Sequence, residues 1–365
     1  MVLIRRGWYP ALLLAVASFI GPVAGQAKAS RKSLSKLFRY SVDPDAPGGC
    51  SEYGLDALNA MADDAYTLTK EGLQAVQDSQ DTSADTYAEA NRLLAAMFIN
   101  PSSNKIKAAK KQINGVKTYL ENGGKTAGGI LTNRPFLLCG DLWRVRQDMS
   151  SEMRDASGTL TGKKISDFPA MVESQASVAK KEGVNVADIY PYWSDATGSY
   201  TFDFKYGDGD PTIGVCQGDP DVIAFTITQP PVGIVALCPK TFAGGRLHSV
   251  AAEPVVDTSF YSSKPPDGVT VQRIKAIIGP GSVLYHELFH LYWGNDGTTP
   301  SGREEYSFRK MTGKSSSRPF TTADALKNPQ TYAYMSLAYD YTLNVKSGSY
   351  PVEFYNGWAT YKEDS

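Results

Sequence analysis

The chain has 365 residues, 42% hydrophobic and 11% aromatic, which is apolar enough to bury a sizeable core and too apolar for disorder as the main state. Its 37 Lys+Arg nearly cancel its 38 Asp+Glu, for a formal net charge of -1. That balance excludes a broad basic field for nucleic acid and an acidic solvating tail. Histidine is scarce, so any imidazole chemistry must use His248, His286 or His290.

Residues 1–25 read as a secretory signal peptide. Arg5 and Arg6 form a basic start, Ala11 to Ile20 an apolar run, and Val23-Ala24-Gly25 a small-residue exit. The apolar run is about half the roughly 20 residues that a membrane span needs, so the expected protein is secreted and extracellular, with no membrane partner. Residues 26–48 are basic and then Pro/Gly-rich, a flexible lead-in or short pro-segment without a Lys-Arg processing pair. The domain proper is expected over residues 49–365.

An oxidising compartment turns four widely spaced cysteines into two expected disulfides. Cys216–Cys238 closes a short loop and is the favoured pair, leaving Cys50–Cys139; no C-x-x-C spacing supports a cysteine metal site. Asn100-Pro101-Ser102 resembles a glycosylation sequon, but its proline blocks it.

Apolar residues at helical spacing predict helices over Leu55 to Val76, Thr86 to Ile99 and Ile106 to Leu120, the last with a Lys-rich face read as solvated. Short β-branched or aromatic runs then predict strands at Pro135 to Cys139, Tyr200 to Phe204, Val222 to Thr228 and Val232 to Leu237, with a helix over Met171 to Lys181. Pro254 to Val269 reads as a surface loop. A helix starts near Ser282, after Gly279-Pro280-Gly281, and stops at Gly294. Another opens near Thr321 and runs to about Tyr341, with Pro329 placed to split or kink it.

His286-Glu287-Leu288-Phe289-His290 is the strongest chemical signal. Residues four apart on a helix share a face, so both imidazoles can offer a nitrogen to one Zn2+. Glu287 lies beside them and can act as a general base on water activated by the metal. The apolar neighbours Val283, Leu284, Leu288, Phe289, Leu291 and Tyr292 suit a buried metal helix. With no histidine downstream, the third ligand is expected to be a carboxylate beyond Gly294: Asp296, Glu304 or Glu305. His248, beside Gly244-Gly245-Arg246, reads as a loop or structural histidine.

On these residues the sequence resembles the deuterolysin-like (aspzincin) fungal zinc metallopeptidases, with a lysine-specific metallo-endopeptidase-like domain. Gly302-Arg303-Glu304-Glu305-Tyr306-Ser307-Phe308 is similar to the family segment that carries an Asp ligand followed three residues later by a Tyr. The run Asp324 to Tyr334 and the segments Asp221 to Phe225 and Ile234 to Pro239 are similar to other parts of the family pattern. The resemblance implies Glu305 as third ligand and Phe308 at the position of the oxyanion-stabilising Tyr. Phe308 has no hydroxyl, so Tyr306 is either its substitute or an ordinary packed aromatic.

The expectation is thus an α+β, zincin-like metallopeptidase fold in which helices pack on a small mixed sheet. Function follows as a monomeric zinc endopeptidase, one Zn2+ per chain, acting on protein or peptide substrates. An edge strand at Val222 to Thr228 or Val232 to Leu237 would receive an extended peptide. The rival is a secreted zinc-binding antigen or host-interaction effector with little or no proteolysis.

Overall fold

The computed structural model describes residues 30–123, 134–207, 210–228, 233–247, 256–257, 270–300, 304–313 and 320–361. A one-turn helix α1 (Leu34–Leu37) seats Leu34, Leu37 and Phe38 in the main core, each at most 1% exposed. Arg39 then bridges Phe136. Residues 31–48, the stretch expected as a lead-in or short pro-segment, fall in the same compact unit as the described residues that follow. Charged side chains there can keep their heads in water while the three apolar ones leave it. The expected signal segment, residues 1–25, lies outside the described residues.

The three expected amino-terminal helices are α2 (Gly54–Asp78), α3 (Tyr87–Met97) and α4 (Ser103–Asn122). In α2 the apolar stripe Leu58, Met61, Ala62, Ala65 and Leu68 is at most 1% exposed. On α4 the lysines Lys105, Lys107, Lys110 and Lys111 face solvent as a polar flank. No helix among the described residues is long and apolar enough to cross a membrane.

The middle of the chain is β-rich. Strand β1 (Phe136–Cys139) is followed by β2 (Val145–Arg146), β3 (Glu152–Arg154) and β4 (Leu160–Lys164). Helix α5 (Pro169–Glu182) leads to the hairpin of β5 (Ile189–Ser194) and β6 (Ser199–Phe204). After a short α6 (Val215–Gly218) come β7 (Ala224–Ile227) and β8 (Ile234–Leu237). Sheet order β1-β8-β7 makes a small mixed sheet: β1 runs parallel to β8, and β7 runs antiparallel to it at the edge. Of the two edge candidates, the Val222 to Thr228 segment therefore holds the edge and Val232 to Leu237 the centre. Separate antiparallel sheets form from β2-β5-β6 and β3-β4. Cys50 is bonded to Cys139 and Cys216 to Cys238, the pairing favoured from spacing.

Strand β9 (Val256–Asp257) falls within the expected Pro254 to Val269 loop, whose other residues lie outside the described set. The carboxy-terminal third holds α7 (Pro280–Trp293), α8 (Asn295–Thr298), α9 (Phe308–Met311), α10 (Thr322–Lys327) and α11 (Pro329–Asn344). Two hairpin strands, β10 (Lys346–Ser347) and β11 (Tyr350–Pro351), follow, and β12 (Thr360–Tyr361) pairs in parallel with β9. Pro329 splits the expected last helix. Asn328 is extended, as a residue before proline prefers, and Pro329 opens the next helix, where its missing N–H costs nothing.

Helices α2 and α7 pack on each other and each packs on α4 and α11, and α7 also lies against β7 and β8. Glycines permit the closest crossings. A Cβ on Gly281 of α7 would lie 2.3 Å from Asp64 Cβ on α2, and one on Gly72 of α2 would lie 2.3 Å from Ser336 Oγ on α11. The architecture is α+β, with α7 at its centre.

Candidate metal centre

Helix α7 is buried on all sides, from Gly281 to Tyr292. Such a helix cannot carry two imidazoles at random, since each buried nitrogen needs a partner. His286 and His290 lie one turn apart, and their Nε2 atoms are 3.3 Å from each other. His286 Nδ1 lies 3.1 Å from Gln330 Oε1, an atom that only accepts, so Nδ1 carries the hydrogen. Thr298 Oγ1 donates to Gly294 O at 2.8 Å and accepts from His290 Nδ1 at 2.7 Å. Each ring is thus anchored through Nδ1–H, and both Nε2 lone pairs converge on one point.

A carboxylate completes that point. Glu304 places Oε1 2.6 Å from His290 Nε2 and Oε2 3.3 Å from His286 Nε2. One ligand atom from each of the three residues lies within 4.8 Å of the others, and the group could hold a metal ion. Two lone pairs and an anion repel one another unless a cation or proton lies among them. Two imidazole nitrogens with one carboxylate oxygen form a donor set that suits Zn2+. Burial alone would raise the Glu304 pKa, but hydrogen bonds and charge from His286 and His290 hold it well below the usual carboxylate range. For His286, burial opposes the charged form, while Glu304, Glu287 and Gln330 together raise the pKa.

Glu287 stands next to this cluster, 5% exposed. Thr226 Oγ1, on edge strand β7, donates to Glu287 Oε2 at 2.7 Å. Asn295 Nδ2 donates to Thr226 O at 3.4 Å and links the strand to the turn after α7. Gly294, with φ 76°, ends that helix and releases the chain into α8, which carries Thr298 back under His290.

The segment 304–307 is non-helical, and alternate residues in such a chain face opposite ways, as in a strand. Glu304 and Tyr306 accordingly face the His286–His290 cluster. Tyr306 donates its hydroxyl to Glu304 Oε2, and its ring stacks on His286 with centroids 5.8 Å apart. Although Tyr306 is 57% exposed, its hydroxyl end has lost water; that loss and the Glu304 and Glu287 charges push the phenol well above its ordinary value.

Glu305 faces the other way, which corrects its placement as third ligand. Its Oε1 accepts from Ser307 N at 2.9 Å, and its Oε2 lies 3.5 Å from Lys310 Nζ. The register is held by buried Asn328, whose Oδ1 accepts from Glu305 N at 3.2 Å and whose Nδ2 donates to Glu305 O at 3.0 Å. Asp296 is also away from the cluster: its side chain is 95% exposed and lies 3.6 Å from Lys181 Nζ. Phe308 packs against Tyr334 at 5.9 Å. His248 and the Gly302-Arg303 pair lie outside the described residues.

Sequence reasoning missed four residues that orient this centre: Thr226, Thr298, Asn328 and Gln330. Asn328-Pro329-Gln330 did carry a local signal, a helix start whose first residues face inward. Thr226 and Thr298 carried none, because a hydroxyl that orients a neighbour looks like any other threonine. Compared with known proteins, the chain matches no family model, no curated protein and no solved structure.

Proposed function

We propose that this chain is a secreted, zinc-dependent endopeptidase of zincin-like, deuterolysin-related type, acting as a monomer on protein or peptide substrates. The observation that carries the reading is the convergence of two Nδ1-anchored imidazoles and Glu304 on one point, with Glu287 beside them. His286, His290 and Glu304 would hold one Zn2+. When bound, zinc acidifies water and polarises a carbonyl. Glu287 then serves as general base: Thr226 holds Oε2, which leaves Oε1 to take the proton from the attacking water and pass it to the departing amine. Edge strand β7, paired among the described residues on its β8 side alone, can hydrogen-bond an extended peptide. Tyr306, whose ring stacks on His286 and whose hydroxyl reaches Glu304, is the candidate donor to an oxyanion.

A second reading, a zinc-binding antigen or effector without proteolysis, draws on Phe308. The residue at the family's tyrosine position has no hydroxyl and packs on Tyr334. Casein digestion with and without a chelator separates the two, alongside zinc analysis. Chelator-sensitive cleavage is expected, and Glu287→Gln should keep zinc while activity drops by at least about a hundredfold. Stoichiometric zinc with no such cleavage would reject the peptidase.

A further inference from the structure

Beyond Tyr306 the surface opens into a cavity of about 470 Å3. Its aromatic floor is Phe308, Tyr334 and Trp358, and Arg273, Lys275 and Arg309 stand on its lining with their side chains exposed. Among the described residues that line it, none carries a carboxylate. Two strand-like pieces close one wall: Arg273 bridges Trp358, and Ile274 N donates to Gly357 O at 3.1 Å. At Gly357, with φ 91°, a Cβ would lie 2.7 Å from the Phe308 ring, so only glycine lets this wall approach so closely. The Arg273 guanidinium sits 4.3 Å over the Trp358 ring, which limits how far it can swing.

An apolar floor beneath a cationic rim matches a side chain with a methylene stem and an anionic end. Tyr306 joins the cavity to the metal cluster, because the same ring lines one and stacks on His286 in the other. We propose that the cavity receives a glutamate or aspartate side chain of the peptide beside the bond that is cut, with Arg273 and Lys275 as specificity-determining residues. This rests on the peptidase reading above. A lysine at that position is repelled by the same rim.

The test uses the zinc-loaded protein and three matched fluorogenic peptides. They share one otherwise uncharged scaffold and carry Glu, Gln or Lys at a single central position. The expected order of kcat/KM is Glu above Gln by about tenfold, with Lys lowest. The double variant Arg273→Glu, Lys275→Glu should invert the Glu:Lys order. That ratio is taken within one preparation, so loss of folded protein cancels. Equal rates for all three peptides, or an order unchanged in the double variant, would overturn the proposal while leaving the peptidase intact. Anisotropy of the same peptides on the Glu287→Gln protein gives the other arm. If nothing is cleaved yet the Glu peptide binds about tenfold tighter than Gln, the peptidase reading falls and the cavity's preference stands. If nothing is cleaved and nothing is discriminated, both fall.

Discussion

Glu304 and Glu305 carry the same group one residue apart, and their surroundings give them opposite roles. One faces the Nε2 atoms of two imidazoles and accepts from a phenol; the other accepts from Ser307 N and leans toward Lys310. Glu304→Ala should therefore lower zinc affinity by more than about a hundredfold, since loss of an orienting partner alone costs about 10–100-fold. Glu305→Ala should stay within about threefold of the parent. Competition with a chromogenic chelator reads both, and equal losses would undo the distinction. Protonation at this site also sets a pH slope. In chelator-treated protein the raised His286 pKa contributes stability that is complete below the ordinary histidine value of 6.5 and fades as pH rises through the folded value. Glu304, held below its ordinary 4.5, contributes stability above that pH and loses it only as pH falls through its own folded value. Chelated protein should thus be most stable between 4.5 and 6.5 and weaken toward pH 8. At the proposed site zinc would take the imidazole lone pairs in place of the proton, so its stabilising effect should grow over the same rise. Melting temperatures of loaded and chelated protein at two pH values check this; a gap that narrows toward pH 8 contradicts it.

At the scale of elements, α7 is placed by how closely its neighbours approach. Gly281 lies in its first turn, where alanine would ordinarily gain about 1 kcal/mol of helix propensity. Here the added Cβ would meet Asp64 Cβ at 2.3 Å and Ala65 N at 3.2 Å, and neither atom can swing aside. Asp64 is further pinned by Arg246 Nε and Nη2, at 2.8 and 2.5 Å. The overpacking cost of about 1–3 kcal/mol should win, so Gly281→Ala should be destabilising. Urea unfolding measures the sign, and a raised midpoint would show that α2 and α7 do not cross this tightly. Most elements were legible in the sequence because their causes are local: the apolar stripe of α2, the proline and glycine that bound α7, the Thr321–Asp324 capping box at α10. The β5 strand was missed. Its Tyr-Pro-Tyr-Trp run is buried by the β6 pairing and by α5, and the interior proline reads as a breaker until the partner is seen.

Across the whole molecule, two cystines tie the sheet to its surroundings. Cys50–Cys139 spans 89 residues and joins the approach to α2 with the end of β1; Cys216–Cys238 spans 22. On loop-closure entropy the longer crosslink should stabilise by about 1 kcal/mol more than the shorter. Thermal unfolding of Cys50→Ala/Cys139→Ala beside Cys216→Ala/Cys238→Ala tests that order, and a reversed order would show that entropy of the unfolded chain is not the deciding term. The amino-acid sequence by itself determined the His286–His290 pair with Glu287 between them, since helix pitch alone puts residues four apart on one face. It also determined most of the helices and favoured the cysteine pairing now found. Only the tertiary structure decided which carboxylate meets those imidazoles and what orients them. Gln330 reaches His286 across 44 residues and Thr226 reaches Glu287 across 61. Contacts that far apart along the chain leave no periodicity to read. They depend on where β7, α8 and α11 come to rest around α7, and that is settled by packing of the core as a whole.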